Sequence, residues 1–110
     1  MGYDSDQYYE IIDLYNKNIT EIPKEWLPQC KILDLRDNKI IEIPKKWKPQ
    51  CEELYLWENQ IFKIPKEWNP QCKELDLSYN QITKIPKDWK PQCEKIVLNY
   101  NTIISKNFKK

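Results

Sequence analysis

Residues 72–92 read CKELDLSYNQITKIPKDWKPQ, and the organisation of the whole chain follows from them. Leu75 and Leu77 alternate with Asp76, the period-two pattern of a strand with one buried face. Asn80 then leaves the strand, and Ile82 and Ile85 lead into Pro86. Proline fixes φ and removes a donor, and Pro91 follows five residues later, so the return segment is predicted to be irregular instead of helical. A unit this short cannot bury its own apolar face, so it must stack on copies of itself.

The copies are present. Cys30, Cys51, Cys72 and Cys93 are spaced by 21 residues, and so are Trp26, Trp47, Trp68 and Trp89. Pro23, Pro44, Pro65 and Pro86 keep the interval, as do Asn38, Asn59, Asn80 and Asn101. The units are 9–29, 30–50, 51–71, 72–92 and a truncated 93–110. Their pattern is C-x-x-L-x-L-x-x-N-x-I-x-x-I-P-x-x-W-x-P-Q. It resembles the leucine-rich repeat family, whose unit core is L-x-x-L-x-L-x-x-N-x-L, with Cys at the first core position and Ile at the last. The resemblance covers residues 9 to about 105, and the period lies within that family's range. It implies an α/β-type solenoid, mostly β with irregular convex arcs, wound as a right-handed superhelix around a short parallel sheet on the concave face. Residues 1–8 are expected to form an N-terminal cap segment, and residues 106–110 a basic tail beyond the repeat domain at 9–105.

Within this frame the repeated residues are scaffold. Leu35, Leu56, Leu77 and Leu98 are expected inside, beside Leu33, Leu54, Leu75 and Ile96. The cysteines occupy a core position as small hydrophobes, and the tryptophans cover the convex side of the core. The resemblance implies that the asparagine amides bond backbone groups of the turn and of neighbouring coils, satisfying polar groups that burial would strand. Lys17 stands where the first unit should have its asparagine, which puts the turn there in question. Cysteines in a row lack the convergent C-x₂-C spacing of a metal site. Neighbouring strands lie ~5 Å apart, compatible with Cys30–Cys51 and Cys72–Cys93 disulfides, but four free thiols are expected in a reducing compartment. Lys24, Lys45, Lys66 and Lys87 form another row, largely offset by Glu25, Glu67 and Asp88, and read as a solvated edge.

Partner information should lie where the units differ. The residues flanking the buried leucines give a middle row of Asp13, Asp34, Tyr55, Asp76 and Val97, and a next row of Tyr15, Arg36, Trp57, Ser78 and Asn99. Beyond the strand come Asn16, Asp37, Glu58, Tyr79 and Tyr100; before it come Ile11, Ile32, Glu53, Glu74 and Lys95. Trp57 is the one tryptophan outside the repeated position and is expected to face solvent, with Tyr55 two residues away and Arg36 on the preceding coil. Trp, Tyr and Arg are the types enriched at binding hot spots. The candidate site is therefore Asp34, Arg36, Tyr55, Trp57, Glu58, Asp76, Tyr79 and Tyr100. The bland alternative is cross-strand packing of these aromatics or an Arg36–Trp57 cation–π pair. Five strands at ~4.8 Å give a footprint of roughly 24 by 20 Å, smaller than a standard interface unless an edge or end contributes.

Net charge is +1, from 18 basic and 17 acidic residues, without the basic excess of a general nucleic-acid binder. No stretch approaches the ~20 apolar residues of a membrane span, and MGYDSDQYYE lacks the regions of a signal peptide. The expectation is a cytoplasmic, intracellular protein without cofactor or metal. There is no histidine, no Gly-rich phosphate loop and no nucleophile–base constellation, and an open sheet offers no enclosed pocket, so no enzyme is expected. At the ends, Tyr8 and Tyr9 are expected to shield the first coil, and Ile103, Ile104 and Phe108 to fold over the last. The reading is a protein-binding module acting through its concave face, centred on Tyr55 and Trp57. The alternative is a structural or self-associating solenoid, a monomer whose open ends or convex face allow association.

Overall fold

The computed structural model describes residues 2–103. Five strands, β1 (Tyr8–Asp13), β2 (Gln29–Asp34), β3 (Glu53–Tyr55), β4 (Glu74–Asp76) and β5 (Lys95–Val97), form one sheet in the order β1-β2-β3-β4-β5. All neighbours are parallel, and each residue pairs with the one 21 positions on, as in Leu33↔Leu54 and Leu54↔Leu75. Every crossover between strands is thus one turn of a solenoid, mostly β, with no helix among the described residues. Among the described residues no helix is therefore long and apolar enough to cross a membrane.

The alternation does what its period dictates. Leu33, Leu35, Leu54, Leu56, Leu75 and Leu77 are all fully buried, stacked through the middle of the coils with Ile40, Ile61 and Ile82. The arcs complete the core by a turn repeated four times. The amide of Trp26 bonds the carbonyl of Pro23, Trp47 that of Pro44, Trp68 that of Pro65 and Trp89 that of Pro86, each at 3.0–3.1 Å. This i→i+3 bond makes Pro-x-x-Trp a β-turn, with the lysine row at its exposed corners and the indole swung inward. All four tryptophans are buried.

The asparagines explain the exception at Lys17. Asn38 donates from Nδ2 to Leu35 O in its own coil and to Leu14 O in the preceding one, while its Oδ1 accepts from the amides of Lys17 and Ile19. Asn59, Asn80 and Asn101 repeat the arrangement, each reaching back to the preceding coil's leucine carbonyl and isoleucine amide. Every asparagine therefore serves the junction before it. Five coils have four junctions, and the first coil has no predecessor for residue 17 to bond.

The N-terminal expectation is corrected in part. Tyr9 is half-buried against the core, but Tyr8 is 57% exposed and is not among the residues packed on it. The cover comes from upstream instead. Tyr3 packs edge-on to Tyr9 with ring centroids 5.0 Å apart, and its carbonyl accepts the Trp26 indole N–H at 3.0 Å. Ser5 Oγ accepts the Leu27 amide, and Ser5 O accepts from Gln29 Nε2. At the other end Ile103 packs on the core; Ile104, Phe108 and the tail lie outside the described residues.

Candidate functional site

The sheet face turned away from the core carries the variable rows in register, because the 21-residue pairing continues past the named strands. Leu35 N bonds Tyr55 O, Asp37 N bonds Trp57 O, Glu58 N bonds Ser78 O and Tyr79 N bonds Asn99 O, at 2.9–3.1 Å. Immediately afterwards the chain turns through the left-handed region at Asn16, Asp37, Glu58, Tyr79 and Tyr100, with φ between 55° and 60°. Asn and Asp tolerate that region; Glu and Tyr do so at some cost.

Five side chains, one from each coil, stack along this rim. The Arg36 guanidinium lies 5.0 Å from the Tyr15 ring centroid and 5.9 Å from that of Trp57. Trp57 stacks on Tyr79 at 5.8 Å and 24°, and Tyr79 on Tyr100 at 4.4 Å and 14°. The order Tyr15–Arg36–Trp57–Tyr79–Tyr100 makes a continuous ladder. It changes row between the third and fourth coils. Ser78, which holds Trp57's place in the fourth coil, is small and buried, and the next residue supplies the ring instead. A cavity of about 140 Å³ lies among Tyr15, Arg36, Asp37, Trp57 and Glu58.

Several predicted site residues carry internal duties that the sequence did not disclose. Asp34 is buried, and its two oxygens grip Arg36 Nε and Nη2 at 2.9 Å each. This pair raises the guanidinium pKa and cancels its charge locally. Asp34 also accepts the Arg36 amide, as Asp13 accepts that of Tyr15 and Asp76 that of Ser78, so the row of aspartates shapes the strand ends. Tyr55 is half-buried, and its hydroxyl donates to Glu53 Oε1. Burial, with that bond and the surrounding carboxylates, pushes its pKa up. The expectation that Trp57 faces solvent is not met. It is half-buried between Arg36 and Tyr79, with its Nε1 shut off from solvent and without a hydrogen-bond partner. The cross-strand packing weighed as the bland alternative is present, therefore, and the ladder includes Tyr15, which the predicted site omitted. Glu58, Tyr79 and Tyr100 are exposed as expected, Tyr100 by 70%.

The thiols and indoles form two further rows on the other sides of the coils. The Trp47 indole donates to Trp26 O at 2.8 Å and Trp89 to Trp68 O at 2.7 Å, while the equally buried Trp68 Nε1 finds no acceptor. Trp26 stacks with Trp47 and Trp68 with Trp89. The cysteines are free thiols. Cys72 and Cys93 have Sγ atoms 3.4 Å apart. No group of three or more Cys, Asp or Glu side chains that could hold a metal ion occurs among the described residues.

Residues 71–91 match the family model for the Leucine Rich Repeat, a segment one period long within a chain that repeats the same unit in register. The match and the β-solenoid together support the leucine-rich repeat reading. No curated protein and no solved structure matches the chain. Leucine-rich repeat domains are in general protein-interaction modules, typically without catalytic function.

Proposed function

We propose that this chain binds a partner protein on the open face of its sheet, centred on Tyr55, Trp57 and the ladder they adjoin, and that the partner presents a basic segment there. One observation carries the reading. Five coils of near-identical scaffold spend their variable positions on a single ordered array, Tyr15–Arg36–Trp57–Tyr79–Tyr100. Because the rings face one another, the array offers edges and hydroxyls to a partner, which suits a peptide surface better than inserted nucleobases.

Charge supplies the partner's character. The four open-face rows hold Asp13, Asp34, Asp37, Glu53, Glu58, Glu74 and Asp76 against Arg36 and Lys95. Seven of the chain's 17 acidic residues and two of its 18 basic ones are therefore on this face, leaving 10 and 16 elsewhere. Arg36 and the buried Asp34 cancel each other, leaving six carboxylates against Lys95, so the face attracts lysine and arginine. Complementary charge of this kind steers encounter and excludes acidic competitors. Self-association through the N-terminal end has less support, since Tyr3 and Ser5 cover it.

The test is affinity capture under reducing conditions followed by zero-length carbodiimide cross-linking, which joins carboxylates to amines. The wild type should hold a protein that Trp57→Ala and an Asp37→Lys, Glu58→Lys variant lose, with circular dichroism unchanged. Cross-links should join Asp37 or Glu58 to lysines of that protein. Capture that survives both variants, or cross-links confined to the arcs, would remove the site.

A further inference from the structure

We propose that Cys72 and Cys93 form a thiol-modification site: Cys93 takes up a mixed disulfide from glutathione disulfide, and Cys72 resolves it, closing a covalent clip between the fourth and fifth coils. The inference is independent of the binding reading and rests on placement. The two Sγ atoms are already 3.4 Å apart. The cysteines stand just before β4 and β5, and the backbone bonds Gln92 N to Pro70 O and Lys95 N to Lys73 O flank them, so the two coils run side by side there near the ~4.8 Å spacing of paired strands, inside the Cα range of a disulfide. Access divides the roles. Cys72 is buried at 9% exposure, whereas Cys93 is half-buried and reachable. Cys30 and Cys51 hold the same repeat position two coils earlier, but both are buried, at 3% and 8%, so the row contains its own control.

The chemistry balances. The Cys93 thiolate attacks one sulfur of glutathione disulfide; that S–S bond breaks, a Cys93–glutathione disulfide forms, and one glutathione thiolate leaves and takes a proton. Cys72 then loses its proton to solvent and attacks Cys93 Sγ, forming the Cys72–Cys93 bond and expelling the second glutathione thiolate. The dithiol is oxidised by two electrons, and glutathione disulfide is reduced to two glutathione molecules. The local electrostatics suit this order. The hydrogen bond from Cys72 lowers the Cys93 thiol to about 7 against the cost of partial burial, while the Cys93 thiolate and burial push Cys72 up. Capping Cys93 removes its negative charge and so releases Cys72 to ionise at the moment it must act.

The experiment incubates the folded, reduced chain with glutathione disulfide, traps remaining thiols by alkylation, and maps the products by peptide mass. The wild type should become two hydrogens lighter with the bond at Cys72–Cys93, while Cys30 and Cys51 react only after unfolding. Cys72→Ser should instead accumulate glutathione on Cys93, and Cys93→Ser should leave Cys72 unmodified. The rate of Cys93 capture in Cys72→Ala, whose thiol has lost its hydrogen-bond donor, should fall at neutral pH relative to the wild type. Between pH 6 and 8 the wild-type rate should rise about tenfold and level off, where an ordinary thiol near 8.5 would rise roughly eightyfold. Equal modification of all four cysteines, a glutathione adduct that persists in the wild type, or an inert Cys93 would overturn the proposal; so would an eightyfold pH dependence. Near-ultraviolet circular dichroism of the packed tryptophans establishes that each variant is folded.

Discussion

Trp47 and Trp68 are the same residue at the same repeat position, both fully buried, and they differ by one hydrogen bond. Trp47 Nε1 donates to Trp26 O at 2.8 Å; Trp68 Nε1 has no acceptor. Replacing either with phenylalanine removes a similar volume, so packing losses should largely cancel between the two variants. Trp47→Phe also strands a buried carbonyl, whereas Trp68→Phe removes a donor whose burial was already uncompensated. An unmade buried hydrogen bond costs ~1–3 kcal/mol, so Trp47→Phe should be the more destabilising by about that amount in urea denaturation. Equal losses would mean that Trp68 Nε1 finds a partner in solution. This distinction was not legible in the sequence, where the four tryptophans are interchangeable. What could be read was their place, because a residue that recurs every 21 positions must meet the same surroundings on each turn. The aspartates show the opposite failure. An acid beside Arg36 or Trp57 reads as part of a binding surface, and only the geometry shows Asp34 and Asp76 accepting the amide two residues on.

Between elements the asparagine is the rung that joins one coil to the last. Asn59 is buried and bonds Leu35 O, Leu56 O and the Ile40 amide. Asn59→Ala leaves those backbone groups without partners at the junction of the second and third coils, and should cost ~2–4 kcal/mol. Lys17→Asn restores the repeat pattern on paper, yet the first coil has no preceding leucine carbonyl to receive the amide, so stability should change by less than ~0.5 kcal/mol. Thermal unfolding of the two variants decides the matter; a marked gain from Lys17→Asn would show that the amide works within its own coil. The strands and the irregular arcs followed from sequence because period two and paired prolines are local signals. The aromatic ladder was only partly legible. Its members were named from their rows, but the step from Trp57 to Tyr79 depends on a left-handed turn at residue 79, which alternation does not encode.

At the scale of the molecule each coil touches only its neighbours, so the question is whether five coils unfold together or unzip. The indole row breaks between the second and third coils, with stacking confined to Trp26–Trp47 and Trp68–Trp89, while the close thiol pair Cys72–Cys93 joins the fourth coil to the fifth. The core does not break there. Leu35, Leu56 and Leu77 are all fully buried, and Asn59 spans that junction. A coil deprived of its neighbour exposes its leucines, and units this short have no core of their own, so the fold should behave as one cooperative unit. The Cys72–Cys93 clip offers a way to ask. Closing a loop of this length removes ~3 kcal/mol of chain entropy from the unfolded state. In a cooperative solenoid that gain reaches every amide that exchanges only through global unfolding, including those of β1 and β2, far from the clip. In a chain that unzips, the gain stays with β4 and β5. Native-state hydrogen exchange on the reduced and oxidised forms should therefore show the slowest amides of Ile12, Leu33, Leu54 and Leu75 slowed alike, by roughly a hundredfold. Protection confined to the last two coils would place the weak point between the third and fourth coils, and would make Tyr79 and Tyr100 a part of the ladder that those coils can present or withdraw independently of the rest.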